Sequence, residues 1–169
     1  MAFNFQPVLQ GKLLSLRPLQ ADDYRGLFAV ASDPLIWEQH PDSDRYQEPV
    51  FKKFFQDALQ SGGALSAIDA RNGRIIGSSR FHAYTEQQSE VEIGYTFLAR
   101  SYWGGPCNGE MKQLMLQHAF QSVNSVVFVI GTENVRSRKA VEKIGAVYEG
   151  IRPVRGHDRA IYRIVKPAK

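Results

Sequence analysis

EVEIGYTFLARSYWGGPCNGEMKQLMLQHAFQ, residues 90–121, changes its periodicity partway along. Val91, Ile93, Tyr95 and Phe97 alternate with Glu90, Glu92, Gly94 and Thr96, the two-residue period of a strand. From Met111 the apolar positions space out helically, placing Met111, Leu114, Met115, His118, Ala119 and Ser122 on one face. Between them Trp103-Gly104-Gly105-Pro106-Cys107-Asn108-Gly109 forms a compact, glycine-rich connection, with Asn108 as the expected N-cap. Such a loop leaves unpaired N–H groups at the positive end of a helix dipole, which suits a phosphate or pyrophosphate. No GxxxxGK[ST] occurs, which argues against a P-loop hydrolase, and no GxGxxG follows a strand as a dinucleotide fold requires.

Working outward, Lys12–Leu19 alternates as a first strand, and Ala21-Asp22-Asp23 opens a helix that Asp33-Pro34 stops. Residues 35–46 are irregular, polar and aromatic, ahead of a second helix over Glu48–Leu59. Strands follow at Ala64–Ala70 and Arg74–Tyr84, joined by the turn Arg71-Asn72-Gly73. After the central strand and helix, the continuously apolar Ser125–Ile130 reads as a buried strand. Thr132 is expected to cap a fourth helix ending at Gly145. Val147–Ile151 and Ala160–Val165 complete the strands, with 152–159 as a hairpin loop. The expected fold class is α+β: a mixed, mostly antiparallel, twisted sheet of about six to seven strands flanked by about four helices.

The 169 residues, 43% hydrophobic and 22% charged, suit one domain spanning 1–169. The formal charge of +4 is dispersed among acids, so direct nucleic-acid binding is not expected. The lone Cys107 excludes an internal disulfide. The start MAFNFQPVLQGK lacks the basic and apolar regions of a signal peptide, and no stretch has membrane-span length. A cytoplasmic location is the expectation. The four histidines are too dispersed for metal-ligand spacing, so no metal is expected.

Four segments, taken in order, resemble the GCN5-related N-acetyltransferases (GNAT), and within them the RimJ/RimL-like ribosomal-protein N-terminal group. They are Leu13–Leu19, Glu92–Tyr95, Tyr102–Gly105 running into Asn108–Glu110, and Glu133–Ala146. The resemblance implies acetyl-CoA as cosubstrate and direct transfer to an amine acceptor, a protein N-terminus or a small molecule; a homodimer is allowed. It implies pyrophosphate binding by Trp103, Gly104, Gly105, Cys107, Asn108 and Gly109, although Pro106 stands where the family has Gly or Ala and has no N–H to offer. Backbone groups near Phe97 and Leu98 would serve the pantetheine arm and the oxyanion, where the central strand parts from its parallel neighbour. Asn134 matches the family asparagine facing the pantetheine, though asparagine is also commonplace in a first helical turn. Arg138, with Arg136 and Lys139, would suit the cofactor's phosphates.

Val141 occupies the position where many relatives carry an acidic tyrosine, so Ser137 becomes the candidate on the thiolate side; a plain helix-surface serine is the alternative. Glu92 is the candidate base, with Glu90 in reserve; both could instead be solvated or ion-paired. An α-amino acceptor titrates low enough that no base is strictly required. Trp37, His40 and Tyr46 are candidate substrate contacts, or anchors of a surface loop. Two rival readings stay open: a non-catalytic acyl-CoA-binding or regulatory module, and a ribosome- or RNA-binding protein.

Overall fold

The computed structural model describes residues 2–169. In chain order the elements are β1 (Leu9–Gln10), β2 (Leu14–Pro18), α1 (Tyr24–Ala31), α2 (Glu48–Ser61), β3 (Ala64–Asp69), β4 (Ile75–Thr85), β5 (Glu90–Leu98), α3 (Cys107–Ala119), β6 (Ser125–Gly131), α4 (Val135–Lys143), β7 (Val147–Val154) and β8 (His157–Val165). They form one eight-stranded sheet in the order β1-β2-β3-β4-β5-β6-β8-β7, flanked by helices on both faces. Among the described residues only β5 and β6 pair in parallel.

The expected α+β class is the observed one, with four particulars corrected. The two-residue edge strand β1, paired to β2 through Leu9 and Leu16, takes the strand count above seven. Residues 152–159 are not a loop: β7 and β8 continue through them, pairing Val154 with His157, so that only Arg155-Gly156 turns. Asn108 lies inside α3, whose N-cap is Pro106. The cap of α4 is Asn134, not Thr132; its side-chain oxygen accepts from the N–H of Ser137 at 3.4 Å. As expected, α4 gives way at Gly145, whose φ of +99° only glycine adopts easily.

The two faces of the sheet carry separate cores. Met111, Met115, Leu116 and Ala119 of α3 and Val141 of α4 pack with Leu14, Leu16, Phe81, Val91, Ile93, Val126, Phe128 and Tyr162. On the other face Leu27, Ala31, Trp37, Phe51 and Phe55 pack with Phe97. Strand alternation then sends the intervening residues Arg80, His82 and Glu92 towards the α1/α2 face.

That alternation breaks at Tyr95. Between the paired positions Arg80–Gly94 and Ser78–Phe97, β5 spends one more residue than β4, and Tyr95 takes a φ of +54°. This is a β-bulge, which bends and twists its strand. It turns Tyr95 to the α1/α2 face and returns Thr96 to α3. The parallel ladder between β5 and β6 stops short of it, covering only Glu90–Ser125, Val91–Val126 and Glu92–Val127. Beyond those pairs the strands diverge, leaving the facing backbone edges of 93–98 and 128–131 unpaired across a gap. No described helix is long and apolar enough to cross a membrane.

Gly77 sits where the bulged strand crowds its neighbour: a Cβ there would lie 2.1 Å from the Phe97 carbonyl oxygen. Gly77→Ala is expected to cost more than about 2 kcal/mol in urea unfolding. Gly105→Ala, with open space around its Cβ, should change stability by less than about 0.5 kcal/mol. Equal effects would mean that the crowding at the bulge is not a structural constraint.

Candidate functional site

The gap between β5 and β6 opens into a cavity of about 390 Å³ that is lined from both faces of the sheet. Gly104, Asn108, Lys112, Asn134, Ser137 and Val141 line it on the α3/α4 side, and Trp37, His40, Arg45, His82, Glu92 and Tyr95 on the α1/α2 side. Phe97, Leu98 and Trp103 lie at the waist.

Glu92 stands opposite His82 across the β4–β5 ladder, with His82 Nε2 at 3.2 Å from its carboxylate and both side chains largely buried. Gly94, the next same-face residue on β5, has no side chain to cover the pair; a Cβ there would meet His82 Nε2 at 3.2 Å. Glu92 therefore presents a carboxylate to the cavity beside an imidazole whose Nε2 makes no hydrogen bond among the described residues, and that carboxylate can accept a proton. Glu90 is committed elsewhere: it accepts from Ser125 Oγ at 2.7 Å and is ion-paired with Arg163. Only Glu92 of the two acids faces the cavity.

On the opposite side, Gly104 adopts a φ of +72° and the chain enters α3 through Pro106. The first helical bond runs from the N–H of Glu110 to the carbonyl of Pro106 at 3.0 Å, so the N–H groups of Cys107, Asn108 and Gly109 precede it as first-turn donors. Gly104 and Asn108 reach the cavity wall; Gly105, Cys107 and Gly109 do not. Burial, with Asp69 and Glu110 adding to it, pushes the Cys107 thiol up, so this sulfur stays protonated at neutral pH and is a poor nucleophile. The Glu110 carboxylate accepts from the N–H groups of Lys12, Leu13 and Leu14 at 2.6, 2.8 and 3.1 Å, fastening the start of β2 to this turn.

On α4, Asn134 is buried at the cap and Ser137 stands one turn on; both line the cavity, as does the apolar Val141. Arg138 points away, donating to Tyr162 Oη at 3.0 Å and to the Thr132 carbonyl at 2.9 Å. Arg136 instead lies 3.7 Å over the Trp103 ring and donates to the Ile36 carbonyl, tying α4 to the 35–46 segment. Trp103 in turn donates from Nε1 to the Leu98 carbonyl at 3.0 Å, fixing the waist.

Trp37 is as much anchor as wall: it is 2% exposed and donates from Nε1 to the Ala31 carbonyl. His40 accepts from the N–H of Asp42 through Nδ1, so its proton resides on Nε2, and burial reinforced by Arg45 pushes it down to about 4. It is a neutral donor at physiological pH. Tyr46 packs against the α1/α2 core outside the cavity wall. Gly131 admits this segment to the gap: a Cβ there would lie 2.5 Å from Pro41 Cγ. Among the described residues no group of three or more His, Cys, Asp or Glu is arranged to hold a metal ion.

Comparison with known proteins gives the same architecture a family. The acetyltransferase (GNAT) domain profile matches residues 14–147. The uncharacterized N-acetyltransferase p20 of Bacillus licheniformis is 26% identical over 159 residues, covering 90% of this chain and 88% of that protein. A GCN5-related N-acetyltransferase from Brucella melitensis superposes with a TM-score of 0.82 at 22% identity, over 95% of this chain and 79% of that one. Mycobacterium smegmatis RimJ, solved in complex with CoA-disulfide, superposes with a TM-score of 0.73 at 18% identity, over 98% of this chain and 90% of that one. At these identities the solved structures share the fold.

Lys112 is the cavity residue that sequence periodicity overlooks. The buried stripe of α3 is Met111, Lys112, Met115, Leu116 and Ala119, rotated from the expected face so that Leu114 and His118 are half-buried and Ser122 is exposed. A lysine at helical spacing from Met115, Leu116 and Ala119 is the signal that marks it. Its Nζ donates to Thr96 Oγ1 at 2.6 Å, Thr96 meets Ser79 Oγ at 2.8 Å, and the Phe128 ring lies 5.4 Å away. Burial pushes the amine down from the ordinary 10.5 to about 7. The unfolded chain then binds this proton more tightly, so the penalty is greatest below pH 7 and fades as pH approaches 10.5. Lys112→Met is expected to be more stable than the parent at neutral pH by on the order of 1–3 kcal/mol, the gap narrowing as pH rises. Urea unfolding of both proteins between pH 6.5 and 10 checks this; a gap independent of pH would refute it.

Proposed function

The chain belongs to the acetyltransferase (GNAT) family and is an N-acetyltransferase; we propose that residues 1–169 act as one domain that moves an acetyl group from acetyl-CoA directly to a primary amine, either a protein N-terminus or a small amine. The observation that carries this reading is that one gap in the sheet is reached from both sides. Gly104 and Asn108 at the start of α3 and the cap of α4 open onto it from one face, and Glu92 from the other.

The α3/α4 side has the features an acyl-CoA needs. The Cys107–Gly109 N–H groups, next to the left-handed Gly104, suit a pyrophosphate. The unpaired backbone edge of β5 over 93–98 can pair with the amide groups of an extended pantetheine arm, as a missing strand would. On the opposite face Glu92, with His82 behind it, takes the proton that the acceptor ammonium must lose before its nitrogen can attack. The N–H groups left free by the divergence of β5 are the candidates to receive the developing oxyanion. Ser137 and Lys112 are the proton donors on the side from which the thiolate departs.

Calorimetric titration of acetyl-CoA should give micromolar binding to the parent protein and none to Gly104→Glu, whose carboxylate would occupy the anion site. Absence of binding to the folded parent protein would overturn the acetyl-CoA reading. With binding in place, thiol release in the presence of amines reports transfer. Glu92→Gln is expected to lower kcat about 10²- to 10⁴-fold with acetyl-CoA affinity unchanged. An unaltered kcat in that variant would remove Glu92 from the base role.

A further inference from the structure

Two arginines are buried on the α1/α2 side of the sheet, Arg45 in the cavity wall and Arg80 outside it, and the protein does not fully satisfy them. Arg80, on β4, is 7% exposed, and its buried Nε has no hydrogen-bond partner among the described residues. Nor does it form an ion pair with any described carboxylate. Its guanidinium lies 3.9 Å over the Tyr95 ring and 5.6 Å from that of Phe54. Arg45, also 7% exposed, lies 4.3 Å over the other flank of this aromatic group at Phe54 and 5.0 Å from Trp37. Its one carboxylate partner, Asp42 at 2.7 Å, is itself largely in solvent. Arg155, in the β7–β8 turn, reaches Tyr95 Oη at 3.4 Å. A guanidinium stays charged in such surroundings, because its proton is held too tightly to be given up. Burying it without a counter-ion costs free energy that an incoming anion recovers.

The position of this cluster relative to the candidate base is fixed by Tyr95. Its ring touches the Arg80 guanidinium and lies 5.0 Å from the ring of His82, which pairs with Glu92. Arg80 and His82 are alternate residues on one strand face, roughly 7 Å apart along β4. An acceptor whose nitrogen meets Glu92 therefore shares the cavity with Arg45, while Arg80, stacked on Tyr95 outside the cavity wall, adds positive charge nearby.

We propose that the acceptor is an amine bearing a carboxylate a few bonds from the reacting nitrogen, the carboxylate being held by Arg45, with the charge of Arg80 reinforcing it, while Glu92 faces the nitrogen. The inference rests on the transferase reading above and narrows its acceptor. A carboxylate matches the planar fork of a guanidinium with both oxygens, and such bidentate pairs discriminate strongly against neutral isosteres. The carboxylate has two sources: a free amino acid, or an acidic side chain close behind a peptide N-terminus.

The test compares kcat/KM for matched amines: β-alanine against 3-aminopropanol, 4-aminobutyrate against butylamine, and hexapeptides beginning Ser-Asp against Ser-Asn. In the parent protein the carboxylate member of at least one pair should be preferred by about 30-fold or more. In Arg45→Met the preference should fall to within about threefold, and Arg80→Met should reduce it too. Thermal unfolding confirms that each variant is folded, and the Arg80 variant carries the test if Arg45→Met does not fold. Preference in the first two pairs identifies a small amino acid; preference confined to the hexapeptides identifies an acidic N-terminus. Equal use of both members of every pair, or a preference untouched in folded variants, overturns the proposal. Faster use of O-phosphoethanolamine than of any carboxylate assigns the site to phosphate and overturns it likewise. If acetyl-CoA binds but no amine is acetylated, the transfer reading fails by itself. Calorimetry of β-alanine and the Ser-Asp hexapeptide into CoA-saturated protein then decides: Arg-dependent binding upholds the carboxylate site, and no binding overturns it.

Discussion

The break in the β5–β6 ladder is the constraint on which the site depends. Parallel pairing holds for Glu90–Glu92 and then stops, although both strands continue. Unpaired backbone groups inside a protein are costly, so a ladder that ends early must be forced apart. The bulge at Tyr95 supplies the bend, with a tyrosine in the left-handed region that such residues seldom occupy. Gly77 lets β4 follow the bent strand, and Gly131 lets Pro41 close on the far side of the gap. The opening is thus paid for by backbone strain at Tyr95 and by two glycines. In return one cavity communicates with both faces of the sheet, which a continuous ladder would have kept apart.

The charges around that opening follow the same logic. Lys112 enters the gap from α3 and Arg45 from the α1/α2 side, with Arg80 stacked on Tyr95 outside the cavity wall; all three are buried. Buried charges weaken a fold unless they are paired, and only Arg45 has a carboxylate of its own, a largely exposed one. Lysine and arginine respond differently. The Lys112 amine can shed its proton and does so partly near neutrality, whereas the guanidinium of Arg45 cannot. The first residue is therefore suited to moving a proton, and the second to holding an anion.

Much of this arrangement was legible in the sequence because it rests on periodicity. The alternation of 90–97, the change to helical spacing after 110, and the apolar run 125–130 gave the strand, the helix and the buried neighbour in their right order. Glu92 and Asn108 reach the cavity from those elements, whereas Asn134 and Ser137, on α4, are marked by the resemblance to the acetyltransferases. What was not legible depends on contacts between distant segments. The register shift that creates the bulge lies between β4 and β5 and has no local signature. The turn residues Arg152–Arg159 look like a loop, yet they extend the β7–β8 hairpin because each strand supplies the other's hydrogen bonds. Arg80 and Arg45 are far apart in sequence and meet only around Phe54.

The two departures from the family pattern are intelligible in this geometry. Pro106 is the N-cap residue of α3, so it removes one of the four unpaired donors that open a helix and no more. Its lack of an N–H therefore leaves the groups of Cys107, Asn108 and Gly109 intact. Proline's fixed φ also matches the observed −80°, so it orders the turn rather than distorting it. Val141 is 3% exposed, packs within the α3/α4 core and presents only methyl groups to the cavity. In the proposed transfer, a hydroxyl missing at position 141 leaves proton delivery to other groups that line the cavity. Ser137 lies one turn earlier on the same helix, and Lys112 faces the gap from α3 with an amine already balanced between its two protonation states. Replacing an acidic tyrosine with valine thus leaves a drier, more apolar wall, in which the charge on Lys112 counts for more than it would beside water.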